Sequence, residues 1–263
     1  MRTTDLRALD LAALNSATKY PSIPTYHLLD PTARGSLKEE ALTFTGDIVA
    51  REKLDGANAR IISLPGGEYV LGSREELLHA RGDLIANPAL GIVDALREVA
   101  ESLTPPLASI RVHYLEVYGG KVTAASREYT GNRAVGFRLF DVATVAFHVL
   151  SWTRERISSW REDQGQLFHE EEELIEHAAE DGLEMAPHVC TISASDLPTD
   201  IEGMNEFLGK ALPSTQAALD GNAGGTPEGI VLRTTDRSVI AKARFQDYRR
   251  TLKRRGADAK GRP

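Results

Sequence analysis

Residues 52–60 read Glu-Lys-Leu-Asp-Gly-Ala-Asn-Ala-Arg, and the lysine two places ahead of Asp-Gly is where this chain could carry a nucleophile. A lysine amine attacks an electrophile only when neutral, whereas free lysine titrates near ~10.4 and is almost wholly protonated at neutral pH. Lys53 would therefore need positive neighbours or partial burial, both of which disfavour the ammonium form. Ala-Lys242-Ala-Arg244 offers such neighbours, because alternate residues of a strand share a face and these two could clamp one polyanion. Glu116, in Leu-Glu-Val-Tyr, and Glu228, opening Glu-Gly-Ile-Val-Leu-Arg, are acids among apolar residues. A carboxylate buried in such a strand must find a partner or shift its pKa. Each feature also has a plain structural reading. Lys-x-Asp-Gly occurs in solvated hairpin turns, Phe137 and Phe140 fit a strand core, and Arg60 and Arg233 fit exposed strand positions.

The elements that must position these groups are short. The pattern predicts a helix over 5–14 with Leu6, Leu9 and Ala13 on one side, then a turn-rich stretch, Lys19-Tyr-Pro-Ser-Ile-Pro24. Strands are predicted near 46–51, 58–64 and 68–72, the last two joined by Pro65-Gly66-Gly67. Asn87-Pro88 is a cap and first-turn pair for a helix through Leu103 that buries Leu90, Val93, Leu96 and Ala100. Strands follow near 110–118 and 136–143, then a helix over 166–181 with glutamates on its outer face and Gly182 as C-cap. Two closing strands, 229–234 and 238–243, flank a tight turn at Asp236-Arg237. Strand runs interrupted by separate helices give an α+β class with antiparallel sheets.

The 263 residues, 41% hydrophobic and 26% charged, suffice for one large domain or two small ones. One cysteine, Cys190, allows no internal disulfide and no thiol-based zinc site, which points to a reducing, cytoplasmic setting. No apolar run reaches the ~20 residues of a membrane span, so no membrane partner is expected. Net charge is −7, yet Lys242 to Arg262 carries nine basic residues against two acidic ones, while 161–184 carries ten carboxylates and one arginine. Polyanion binding depends on the local field, so the basic end remains compatible with a phosphate backbone. A solvated basic terminal helix is the plain alternative.

Taken in order, the motifs resemble those of the covalent nucleotidyltransferases, the superfamily of DNA ligases, RNA ligases and capping enzymes. Lys53 matches the nucleotidylated lysine. Ser73-Arg74 is similar to the pair that contacts phosphate, Glu116 to the ribose-binding glutamate, and Phe140 in Phe137-Arg-Leu-Phe-Asp-Val142 to the aromatic that stacks on the purine. Glu228-Gly-Ile-Val-Leu-Arg233 and Lys242-Ala-Arg244 resemble the last two motifs. Asn58, five places after the lysine, and the Lys19-Tyr-Pro stretch point to the ATP-dependent RNA ligase branch of RNA ligase 2 type. The resemblance implies an α+β adenylation domain, ATP-grasp-like, whose antiparallel sheets flank a nucleotide pocket.

It also implies a chemistry: AMP passes from ATP to Lys53, then to a 5′-phosphate end, and a 3′-hydroxyl displaces it to seal RNA or nicked nucleic acid. Lys53, Glu228 and Lys242 would be catalytic. Glu52, Asn58, Arg60, Arg74, Glu116, Phe140, Lys242 and Arg244 would hold the nucleotide. Asp55, Glu116 and Glu228 would serve Mg²⁺ or Mn²⁺ through its waters. Arg244 stands where lysine is commoner, and 19 residues follow it. The expected organisation is an adenylyltransferase domain over 1–244, with a helical insertion about 145–215 and a short basic tail over 245–263. The tail leaves no room for an oligonucleotide-binding barrel, whose task a protein partner could supply. A GTP-dependent capping guanylyltransferase and a non-catalytic nucleic-acid-binding relative are the alternatives.

Overall fold

The computed structural model describes residues 6–33, 35–80 and 91–260. Its strands in chain order are β1 (His27–Leu29), β2 (Leu37–Ala41), β3 (Asp47–Lys53), β4 (Ala57–Ser63), β5 (Tyr69–Ser73) and β6 (Leu77–Ala80). There follow β7 (Ile110–Gly119), β8 (Val135–Val145), β9 (Leu167–Phe168), β10 (His188–Ser193), β11 (Gly229–Thr234) and β12 (Ile240–Arg244). The α-helices are α1 (Leu11–Thr18), α2 (Ile92–Ser102), α3 (Ser126–Tyr129), α4 (Arg154–Glu162), α5 (Glu171–Glu180), α6 (Ile201–Ala211) and α7 (Phe245–Lys260).

Two antiparallel sheets carry the fold, a four-stranded one in the order β10-β3-β11-β12 and a six-stranded one in the order β6-β5-β4-β7-β8-β9; β1 and β2 pair separately. In the smaller sheet Ile48, Ala50, Ile230, Leu232, Ala241 and Ala243 turn inward onto α6 and α7, where Met204, Leu208, Phe245 and Tyr248 meet them. The larger sheet is covered on both faces. Ala59, Ile61 and Leu115 pack with Leu96 of α2 and Leu174 of α5, whereas Ile62, Val112 and Tyr114 pack with Leu14 and Ala17 of α1.

Several elements differ from the sequence expectation for local reasons. Asp10 accepts from the backbone N–H groups of Ala12 and Ala13, so the first helix begins at Leu11 and the residues before it make only a 3-10 turn, Leu6–Ala8. The 166–181 segment is divided: Leu167 and Phe168 pair with β8, and a capping box between Glu170 and Glu173 starts α5. The 145–215 stretch, expected to be helical, carries α4, α5 and α6 and also supplies β10, the strand beside β3. Within the expected basic tail, residues 245–260 form a helix anchored by buried Phe245, Tyr248 and Thr251. Strands β1, β2 and β6 were not anticipated, and the expected Asn87-Pro88 cap and Leu90 lie outside the described residues. Among the described residues, no helix is long and apolar enough to cross a membrane.

Candidate active site

Between the sheets lies a cleft of about 520 Å³. Because the even residues of β3 and β11 fill the core, Arg51, Lys53, Val231 and Arg233 face the cleft, and Lys242 of β12 joins them. Register sets Arg51, Val231 and Lys242 in one row across the sheet and Lys53, Gly229 and Arg244 in the next. Lys53 ends β3 with Nζ 2.6 Å from Glu228 Oε2. Burial raises the Glu228 carboxyl above its ordinary range, with Lys53 pulling the other way. The Lys242 ammonium is lowered, first by burial and then by the charges of Arg244, Lys53 and Arg74. The outer edge of β12 is closed by the turn-rich stretch: Lys242 N–H donates to Pro24 O, and Lys242 O accepts from Tyr26 N, both at 2.9 Å.

Asn58, Glu116 and Arg138 form a row across β4, β7 and β8 on the opposite wall. Gly56 N–H donates to Glu116 Oε1 at 3.0 Å. A Cβ at Gly56 would collide with Val117 O, so Asp-Gly is needed here for close approach. Asp55 is held through its backbone, its N–H donating to the Tyr129 hydroxyl at 2.7 Å and its carbonyl accepting from Thr123 Oγ1 at 3.0 Å. Burial pushes the Glu116 carboxyl up to about 7, against the pull of Lys53. Asn58 Oδ1 is buried without a hydrogen-bond partner. A register shift in β8 follows Leu139, and Phe140 there lines the cleft and packs on Tyr20 with ring centroids 5.0 Å apart.

Buried ion pairs make the floor. Glu171, at the start of α5, bonds Arg51 and lies 3.3 Å from Arg233 Nε. Asp141, fully buried, accepts from the Tyr20 hydroxyl and from Arg237 Nε, each at 2.9 Å. The β3–β11 pair of one sheet is thus fastened to β8 of the other.

Of the residues singled out in the sequence, Glu52, Lys53, Asp55, Asn58, Arg74, Glu116, Phe140 and Lys242 line this one cleft, with Glu228 against Lys53. Glu52 turns its carboxylate to Thr215 Oγ1 and Gln216 N, so it braces the wall. Arg60 does not reach the cleft. It shares the Asn58 face, but α1 covers that end of β4, and its guanidinium bonds Asn15 and Thr18. Arg244 is drawn aside onto Asp247, 2.7 Å from Nε to Oδ2. Arg51, Arg138 and Tyr20 were missed. Arg51 alternates with Lys53 on one strand, which was a signal available in the sequence; Arg138 is marked only by its register with Glu116. The cleft acids do not close on one another: among the described residues, the triplet whose ligand atoms lie within 4.8 Å is His113, His177 and Asp181. Asp55, Glu116 and the unpartnered Asn58 Oδ1 line the cleft, and hard oxygens of this kind suit a divalent cation that keeps its waters.

A family model for RNA ligase matches residues 46–254. No curated protein matches the chain. Among solved structures, Naegleria gruberi RNA ligase with PPi is similar at a TM-score of 0.53 and 14% identity, over 90% of this chain and 59% of that one. A mutant of the Naegleria gruberi RNA ligase with ATP and Mn gives 0.51 and 14%, over 90% and 59%. An archaeal ATP-dependent RNA ligase gives 0.52 and 19%, over 88% and 49%. At such identities the likeness is one of fold, and the chain spans between 49% and 59% of these neighbours' lengths. The fold is that of these RNA ligases over the part of them the chain covers. The family match runs from the strand that bears Lys53 to the basic helix behind Lys242, and on that span the chain belongs to the RNA ligase family.

Proposed function

We propose that the chain is an ATP-dependent RNA or polynucleotide ligase that works through a lysyl-AMP intermediate, with Lys53 as the nucleophile. The observation that carries this is the Lys53–Glu228 pair, 2.6 Å apart, in a cleft with Lys242 and Arg74 on one side and the Asn58-Glu116-Arg138 row on the other. Lys53 Nζ attacks the α-phosphorus of ATP. The N–P bond forms, the bond to the bridging oxygen breaks, and pyrophosphate leaves with that electron pair. Before attack the ammonium must give up a proton, and Glu228, raised by burial and in hydrogen-bond contact, is the acceptor the geometry supplies. Lys242 and Arg74 neutralise the departing phosphates. Phe140 would pack against the base and Glu116 would accept from the ribose. Mg²⁺ or Mn²⁺, when bound, would screen the phosphate charge, held through its waters by Asp55, Glu116 and Glu228. AMP then passes to a 5′-phosphate, and a 3′-hydroxyl displaces it; Asn58 and Arg74, which both line the cleft, are the candidates for positioning that end.

The test is incubation with Mg²⁺ and α-labelled ATP or GTP after pyrophosphate stripping, followed by denaturing electrophoresis. Covalent label from ATP, absent in Lys53→Ala, is the expected result. Label retained in Lys53→Ala removes the nucleophile, and label from GTP alone moves the protein to cap-type chemistry.

A further inference from the structure

His113 lies on β7 but on the face away from the cleft. Its register partner is Ile61, and the layer there is apolar, with Leu115, Leu174 and Ala178. A histidine 1% exposed in such a layer needs both ring nitrogens satisfied. Nε2 has Asp181 Oδ2 at 2.8 Å, but Nδ1 is buried with no partner. His177 sits one helical turn before Asp181, so both come off one face of the α5 end. His177 Nε2 is likewise buried without a partner. His169 packs edge-on against His177 with ring centroids 4.8 Å apart, and its Nδ1 is a third orphan. An unmet buried polar atom is costly, and an ion between His113 and His177 would occupy a ring nitrogen of each.

We propose that His113, His177 and Asp181 bind a zinc-class divalent metal ion that clamps the C-terminal end of α5 to β7. Each residue offers one ligand atom, and these atoms all lie within 4.8 Å of one another. Ligand atoms on one zinc stand roughly 3–4 Å apart at bond lengths of about 2.0–2.2 Å. Half-buried His177 closes the remaining gap by turning about its own side-chain bonds. Two imidazoles and one carboxylate favour zinc or a neighbouring transition metal over Mg²⁺, which takes oxygen and keeps its waters. The proposal is independent of the ligase chemistry. Its structural consequence reaches the cleft all the same, because the other end of α5 supplies Glu171 to Arg51 and Arg233.

The test uses the full chain, free of affinity tag and stripped of metal with a chelator. Zn²⁺ is titrated by calorimetry, thermal unfolding is followed with and without Zn²⁺, and Co²⁺ replaces Zn²⁺ for visible spectroscopy. The expected result is one ion per chain, a raised melting temperature and the visible bands of a low-coordinate nitrogen-ligated Co²⁺. His177→Gln and Asp181→Asn, checked for folding by circular dichroism, should weaken binding about tenfold or more, while Glu228→Gln leaves it unchanged. Absence of stoichiometric binding in the parent chain overturns the proposal, as does binding that survives in folded His177→Gln and Asp181→Asn or disappears in Glu228→Gln.

Discussion

Lys53 is paired to a glutamate 2.6 Å away, and in the proposed reaction that pair must give way before the amine can attack. Replacing Glu228 by Gln should keep the shape and remove the proton acceptor, lowering the single-turnover rate of lysine labelling by about 10²-fold or more; an unchanged rate would reassign the glutamate to binding. Glu116 makes a prediction about pH. Its folded-state pKa near 7 lies above the unfolded carboxyl range, so its neutral form stabilises the fold at low pH. That contribution is lost as pH rises through 7. Glu116→Gln should therefore flatten the fall in stability between about pH 5 and 8 and raise stability above pH 7 by a few kcal/mol at most. Urea unfolding across that range checks it. These positions were legible because each is a polar residue set in an apolar alternation. Arg60 shows where legibility stops, since its strand face was readable and the helix that covers it was not.

At the scale of elements, α5 is the piece whose sequence misleads most. Its glutamate-rich start reads as a solvated face, yet Glu171 is buried between two arginines of the other sheet. Removing one member of a buried ion pair costs about 3–5 kcal/mol, so Glu171→Gln should lower unfolding stability by that order. A loss under about 1 kcal/mol would mean the floor is solvated, as exposed pairs are. Long-range pairing of this kind, like the β10 strand that crosses the expected insertion, depends on tertiary contacts that no local period encodes. Helix α7 turns a charge run into a surface. Buried Thr251 Oγ1 accepts from Leu37 N–H, while Arg249 and Lys253 stay exposed. Charge reversal at Arg249 and Lys253 should weaken RNA binding and lower the salt slope by about 1 for each phosphate no longer neutralised, with ATP labelling intact. Filter binding over a salt series reads this, and an unaltered slope would exclude the helix from the interface.

The whole molecule is two sheets joined by buried charge beneath a shared cleft, and a nucleotide that touches both walls acts as a further tie. ATP with Mg²⁺ at about 100 times its Kd should add about 2.7 kcal/mol to stability, a rise of several degrees in Tm for a chain of this size. Calorimetry that finds no rise would separate the cleft from nucleotide binding. The acidic α5 region and the basic α7 give the surface opposite signs at two places, so strand binding should weaken with salt although the net charge is −7.

One covalent detail governs how this assembly could move. Lys53 closes β3 of the smaller sheet and Ala57 opens β4 of the larger, with only Leu54, Asp55 and Gly56 between them. Lys53 therefore stands at the covalent junction of the two sheets, where three residues leave little slack between them. If Lys53 is the nucleophile proposed above, a substitution that lengthens that short strap should slow its labelling more than it weakens nucleotide binding, which single-turnover labelling and calorimetry together would read.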